Sequence, residues 1–374
     1  MSWLDDLWWR DAAARPGPAL PLAAAEQVFR AAAAVRGALY RTGLATVEEA
    51  AAPVISIGNL VVGGAGKTPA VIAVAGRLLR RGRRVAVLSR GYGARRADAR
   101  VVSDGSRVLL ASDDAGDEPS VLARRLPGAA VLCGPDRAAL ARRAVAGFGA
   151  DALVLDDGFQ HRRLARDLDV VVVDAASPVG NGRLLPRGPN REPWSALGRA
   201  HLAWISRCDQ VDAGDLLALG GRLRAATGRA PVTSRHAVTD VLDGTLARGL
   251  GRDALGGARV LAVCALARPD GFRKTLAALG ARVAAQRTYR DHHAFTGAEV
   301  EALLREARAE GCDAVATTEK DAVRIPAPYA ADPLWRVVRI DAEIVTGATE
   351  LDALLDEALA RGDARRAAGT GSRA

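Results

Sequence analysis

The sequence predicts an α/β protein built on a doubly wound parallel sheet, with a second, smaller α/β unit and an amphipathic helix ahead of both. Three observations carry this. Short apolar runs of strand length alternate with helical patterns from 54 to 174. The first run, Val54 to Ile57, leads through a glycine cluster into Lys67-Thr68 and then a helical pattern. A later run, Ala152 to Leu155, ends in two adjacent carboxylates, Asp156 and Asp157.

The strand, Gly-rich turn, Lys-Thr and helix together read as the phosphate-binding loop of a P-loop NTPase. Gly63, Gly64, Ala65 and Gly66 let backbone N–H groups turn around phosphate oxygens. The helix that follows Lys67 and Thr68, read over 69–81 from Pro69, adds the partial positive charge of its N-terminus. Lys67 is placed to reach the β- and γ-phosphates, and the Thr68 hydroxyl to ligate Mg²⁺. The usual first glycine of this motif falls on Val61. Without strand and helix around it, the stretch would read as a glycine turn beside an incidental lysine.

Composition narrows the possibilities. At 374 residues the chain exceeds one compact core. Half its residues are apolar and a quarter charged, as in an ordinary soluble globular protein, and no apolar run reaches the ~18–20 residues of a spanning helix. Cys133, Cys208, Cys264 and Cys312 form no C-x-x-C pair, which argues against a zinc site or disulfide framework. Only Lys67, Lys274 and Lys320 are lysines among 52 basic residues, and Asn59, Asn181 and Asn190 are the only asparagines. In so Arg-biased a chain these rare residues mark positions for inspection. The net charge of +9 comes with no DNA- or RNA-reading motif, so no nucleic-acid partner is expected; anionic lipid or a phosphorylated substrate is.

In chain order, residues 1–46 are expected to form a helical, membrane-associated segment. Trp3, Trp8 and Trp9 open it, and a helix over roughly 22–43 carries Val28, Phe29, Val35 and Leu39 among arginines. Such a stripe suits a membrane interface or the domain behind it. Residues 47–230 form the P-loop core. Val85 to Leu88 is a strand that delivers Arg90 to the sheet edge where ligands bind, within reach of phosphate. Asp117 and Glu118 stand at a helix start, where they fit a cap, a general base or a Mg²⁺ ligand. Asp156 and Asp157 match the Walker B arrangement, in which a strand-end Asp holds Mg²⁺ directly or through water. Residues 180–193 are a Pro/Gly loop with Arg183, Arg187 and Arg191, suited to an anionic acceptor or to a surface connection. Residues 231–361 form the smaller α/β unit, with His292 and His293 after a strand and Thr318-Glu319-Lys320-Asp321 at the end of another. Residues 362–374 read as a disordered tail.

Taken in order, these motifs are specific. Gly63 to Pro69, Ser89-Arg90-Gly91-Tyr92, Gly116 to Pro119, Asp156 to Leu164, Gly180 to Pro186, Arg191-Glu192-Pro193, Asp291-His292-His293 and Thr318 to Ala322 resemble the tetraacyldisaccharide 4′-kinase family, the lipid A pathway kinases of Gram-negative bacteria. The resemblance spans roughly residues 8 to 345 and includes the missing first glycine. It implies transfer of the ATP γ-phosphoryl group to the 4′-hydroxyl of a tetraacylated glucosamine disaccharide 1-phosphate. It implies an enzyme peripheral on the cytoplasmic face of the inner membrane. It implies ATP and Mg²⁺ as cofactors, Asp117 as base, His292 as its partner and Lys67 at the phosphates. Thr68, Glu118, Asp156 and Asp157 are the candidate metal ligands; Asn59, Arg90, Gln160, His161 and Arg187 the candidate acceptor contacts. Placing His292 on the second unit predicts closure over the site. A P-loop ATPase of regulatory type, or a membrane-associated nucleotide-binding module, would need neither Asp117 nor His292.

Overall fold

The computed structural model describes residues 7–9, 19–92, 98–266 and 269–371. The helix of the N-terminal segment, α1, runs Ala19–Arg41. Twelve strands form one sheet in the order β10-β9-β11-β12-β8-β7-β6-β1-β5-β2-β4-β3. The first half holds β1 (Val54–Gly58), β2 (Val85–Ser89), β3 (Arg100–Asp104), β4 (Ala130–Cys133), β5 (Ala152–Asp156), β6 (Leu168–Asp174) and β7 (Leu202–Ser206). The second holds β8 (Val232–Leu242), β9 (Arg259–Cys264), β10 (Arg282–Thr288), β11 (Ala314–Thr318) and β12 (Trp335–Thr346). All pairings are parallel except β3 with β4 and β12 with β8. The central strands are buried on both faces, which is why they read as unbroken apolar runs rather than alternating ones.

Helices α2 (Lys67–Arg80), α3 (Asp117–Arg125) and α4 (Arg137–Phe148) follow β1, β3 and β4. The second half contributes α6 (Pro269–Ala278) and α7 (Gly297–Ala309), after α5 (Ala213–Thr227). α2 buries Ala70, Val71, Val74, Ala75 and Leu78, a stripe at helical spacing. β1 and β5 run side by side with Ile57 opposite Asp156, so the P-loop and the Asp156-Asp157 turn leave the sheet at one edge. Gly58 is required there: a Cβ on it would lie 2.5 Å from the Phe159 Cβ.

The C-terminal helix α8 (Ala348–Gly371) corrects one expectation. The segment after 361 is not a disordered tail; the helix continues through it to Gly371. Leu351, Leu354, Leu355, Ala358 and Leu359 pack into the core under β1 and β6, beside Ile55 and Val170. Beyond that stripe the added turns are held by ion pairs. Asp363 meets Arg83 at 2.6 Å, and Arg365 meets buried Asp167 at 2.5 Å. The chain therefore returns to the first half after building the second.

Candidate active site

The P-loop is fixed from behind. Gly66 adopts φ +86°, and a Cβ on it would meet His236 Nε2 at 3.0 Å and Ser206 Cβ at 3.1 Å. Only glycine fits that left-handed, crowded turn. Ser206 Oγ donates to the Ala65 carbonyl at 2.7 Å, and Arg207 donates to the Gly64 carbonyl at 2.9 Å. The two groups of a peptide unit point opposite ways, so the Gly66 N–H is directed away from β7. From the other side, Val62 N–H donates to the Pro189 carbonyl at 2.8 Å. The Pro/Gly loop is thus bonded to the strand end that leads into the P-loop.

Lys67 lies on Asn59 Oδ1 at 3.1 Å and on Asp157 at 3.4 Å. Arg191 grips both oxygens of Asp157, each at 2.7 Å, and also bonds Asn59. Burial would raise the Asp157 pKa, but these two cations hold it far below the usual range. Asp156 goes the other way. Burial, then the charges of Glu118 and Asp157, push it up to about 7, against Lys67 and a 2.9 Å bond from Ser89 Oγ. Two neighbouring carboxylates thus occupy opposite electrostatic states. Thr68 is half-buried in the first turn of α2.

Asp117 opens α3 and is fully buried. His292 comes from the other half of the sheet, 175 residues away, and its Nδ1 stands 2.8 Å from Asp117 Oδ2. Lys320 Nζ lies 3.7 Å from the same oxygen and Arg324 Nη2 3.4 Å from the other. Burial favours the neutral acid, but the His292 bond and the three nearby cations win, and Asp117 is depressed. Burial lowers His292 and the Asp117 bond outweighs it, so His292 is raised. Lys320 is held mainly by Asp291 at 2.7 Å. Glu118 acts electrostatically on both Asp156 and Lys320. A continuous row of charges therefore runs from Lys67 through Asp157, Asp156 and Glu118 to Asp117 and His292.

The candidate acceptor residues are placed unevenly. Asn59 is fully buried, with its Nδ2 unpaired in protein. Gln160 donates to the Asn59 carbonyl at 3.0 Å, and its Oε1 is unpaired. Both line the row above. Together with Arg191, Gln160 also borders a cavity of about 200 Å³ under α1, lined by Phe29, Ala33 and Arg36. His161 is half-buried with its pKa lowered to about 4 by burial and Arg137. Arg90 is exposed just beyond β2. Arg187 instead reaches Glu26 of α1 at 3.5 Å.

Several residues in the site were not singled out from the sequence. Arg191 stands in the sequence only among the three loop arginines and in the Arg191-Glu192-Pro193 motif, with no role of its own, and Arg324 and Glu26 stand in no motif. Glu26 is a fully buried acid that accepts the Leu184 N–H at 3.1 Å and pairs with Arg30 at 3.0 Å. With Trp8 Nε1 donating to the Pro186 carbonyl at 3.0 Å, it ties the N-terminal segment to the Pro/Gly loop. The only sequence signal was a lone acid inside an Ala/Arg helix. Among the described residues no group of three or more His, Cys, Asp or Glu side chains is arranged to hold a metal.

The family model described as Tetraacyldisaccharide-1-P 4′-kinase matches residues 18–360. A protein of Anaeromyxobacter sp. (strain Fw109-5) named tetraacyldisaccharide 4′-kinase is 65% identical over 366 residues, covering 97% of this chain and 98% of its own. One of the same name from Geobacter sulfurreducens is 41% identical over 301 residues, covering 79% and 81%. A crystal structure of the "apo" form of LpxK from Aquifex aeolicus in complex with ATP superposes with a TM-score of 0.73 at 26% identity, covering 89% of this chain and 97% of that one. The motifs, the fold and these likenesses agree: the chain belongs to the tetraacyldisaccharide 4′-kinase family.

Proposed function

We propose that this protein transfers the γ-phosphoryl group of ATP to the 4′-hydroxyl of a tetraacylated glucosamine disaccharide 1-phosphate, on the cytoplasmic face of the inner membrane. The observation that carries the reading is the Asp117–His292 contact at the end of the charged row from the P-loop. A hydrolase or a nucleotide binder has no need of a buried base braced from the other half of the sheet.

Phosphoryl transfer is mostly positioning and charge neutralisation. Lys67 leaves Asn59 and Asp157 to reach the β- and γ-phosphates. The P-loop N–H groups and the start of α2 hold the same oxygens. Asp117 accepts the 4′-hydroxyl proton as that oxygen bonds to phosphorus and the β–γ bridge bond breaks, releasing ADP. His292, neutral and bonded to Asp117, takes that proton and passes it on to solvent. Asn59 and Gln160 supply unpaired polar atoms for the acceptor sugar.

The donors Thr68, Asp156 and Glu118 are hard oxygens, and Asp156 is buried beside the charges of Glu118 and Asp157. With nucleotide phosphates completing the shell, Thr68 and one or two of these carboxylates would hold Mg²⁺. The ion would supply neutralisation of phosphate charge. The decisive experiment incubates the protein with Mg-ATP and the disaccharide 1-phosphate lipid. Phosphorylated lipid is expected. Its absence, with ATP hydrolysis indifferent to lipid, rejects the reading.

The membrane assignment rests on α1. No helix among the described residues is long and apolar enough to cross a membrane. Val28, Val35 and Leu39 are nevertheless 72%, 60% and 40% exposed, and their spacing puts them on one helical face. Leu44 and Val47, exposed apolar residues, follow the helix, and Arg36 borders the face. Each side chain inserted at an interface contributes up to about 1.5–3 kcal/mol. Val28→Ser, Val35→Ser and Leu39→Ser together are expected to move the protein from the membrane fraction to the supernatant with the fold intact. An unchanged distribution rejects the docking face.

A further inference from the structure

Arg324 lies just beyond the short helical turn Glu319–Ala322 that ends β11. Its side chain is 9% exposed and faces the Asp117–His292 pair. One arm, Nη2, stands 3.4 Å from Asp117 Oδ1; the other, Nη1, donates to the backbone carbonyl of His292. These are the two members of the pair, held by one planar group. Asp117 Oδ1 also accepts the Glu118 N–H at 3.0 Å, so this oxygen is fully engaged. Oδ2 is left for His292 Nδ1 at 2.8 Å. His292 itself sits at φ +63°, a left-handed conformation unfavourable for a residue with a Cβ. An outside bond to its carbonyl is what such a backbone needs to persist.

We propose that Arg324 is a positioning residue for phosphoryl transfer: it fixes which carboxylate oxygen of Asp117 faces His292 and holds the His292 backbone in the conformation that delivers the ring. The inference rests on the proposed role of Asp117 as base. Lys320 cannot take this task. Its ammonium is engaged by Asp291 at 2.7 Å and stands farther from Asp117, at 3.7 Å. A lysine at 324 would likewise carry the charge without the fork that spans a carboxylate and a carbonyl together.

The test compares Arg324→Met and Arg324→Lys with the parent enzyme, alone and in an Asp117→Asn background, by lipid phosphorylation under saturating and limiting ATP. Arg324→Met is expected to lower kcat at least tenfold with KM for ATP unchanged. Arg324→Lys should fall between it and the parent. In the Asp117→Asn background Arg324→Met should alter the residual rate less than twofold, because the group it positions is gone. A merely structural role would lower the rate by the same factor in both backgrounds, and that result overturns the inference. So does a kcat for Arg324→Met within twofold of the parent while Asp117→Asn is deeply impaired. Near-normal turnover of Asp117→Asn alone overturns the reading of Asp117 as base, and this inference with it. Arg324→Lys, which retains the buried charge, keeps the comparison valid should the methionine variant fold poorly.

Discussion

Asp117→Ala is expected to lower lipid phosphorylation by about 10²–10⁴-fold, the usual contribution of a positioned base, while ATP still binds. The carboxylate lies apart from the P-loop, so nucleotide contacts survive its loss. Its removal does leave Lys320 and Arg324 facing a vacated, buried position. Breaking such a pair costs roughly 3–5 kcal/mol of stability. Asp117→Asn, nearly the same shape, is therefore the companion variant, and both should be compared at a temperature well below melting. Turnover within a few-fold of normal in Asp117→Asn would return Asp117 to a helix-start role.

The same pair gives activity and stability opposite pH dependences. His292 is raised above its ordinary 6.5 and Asp117 depressed below its ordinary 3.8. The contribution of His292 to stability is full below about 6.5 and fades as pH rises through its folded value; that of Asp117 is full above about 3.9 and fades as pH falls through its own. The contact is thus strongest between about pH 4 and 6.5. The proton-accepting form, with Asp117 ionised and His292 neutral, appears only above that window. kcat/KM should therefore rise with pH to a midpoint above about 6.5, and the pair, not one residue, sets that value. His292→Asn should flatten the profile between about pH 5.5 and 8. A parent enzyme with no rising limb would contradict this assignment.

What the sequence revealed follows contiguity. The P-loop and the Asp156-Asp157 turn are each written within one strand and the residues after it, so periodicity and glycine spacing locate both. Asp117 and His292 carry no mutual signal across 175 residues. Their pairing entered through the resemblance of ordered motifs. The arginines that finish the site were hidden by composition. With nearly every basic residue an arginine, nothing distinguishes Arg191 on Asp157, Arg324 on Asp117, or Arg125 on Glu319 at 2.7 Å from solvated neighbours. The rarity of lysine worked the other way: Lys67 and Lys320 stood out and both lie on the charged row. The last turns of α8 read as a disordered tail because they are polar. They are ordered by partners, Arg83 and Asp167, far away in sequence.

Lys67→Met is expected to reduce kcat/KM for ATP by about 10²–10³-fold, the loss that follows removal of one preorganised charge stabiliser. The structure makes this a clean experiment. A lysine buried against an acid usually leaves that acid stranded when removed, and the damage spreads into the fold. Here Asp157 keeps both oxygens on Arg191 at 2.7 Å, and Asn59 keeps its bond from Arg191 as well. Methionine fills the volume of the lysine stem with no charge. Melting temperature should therefore change little, and the defect should report on phosphate alone. Because Lys67 is assigned to the β- and γ-phosphates, affinity for ATP should weaken while affinity for AMP stays as in the parent. Equal weakening for both nucleotides would place the damage in the loop backbone instead of the lysine charge. A kcat/KM within threefold of the parent would mean that Lys67 remains on Asn59 and Asp157 during turnover, leaving phosphate to the N–H groups of the loop and to Arg90.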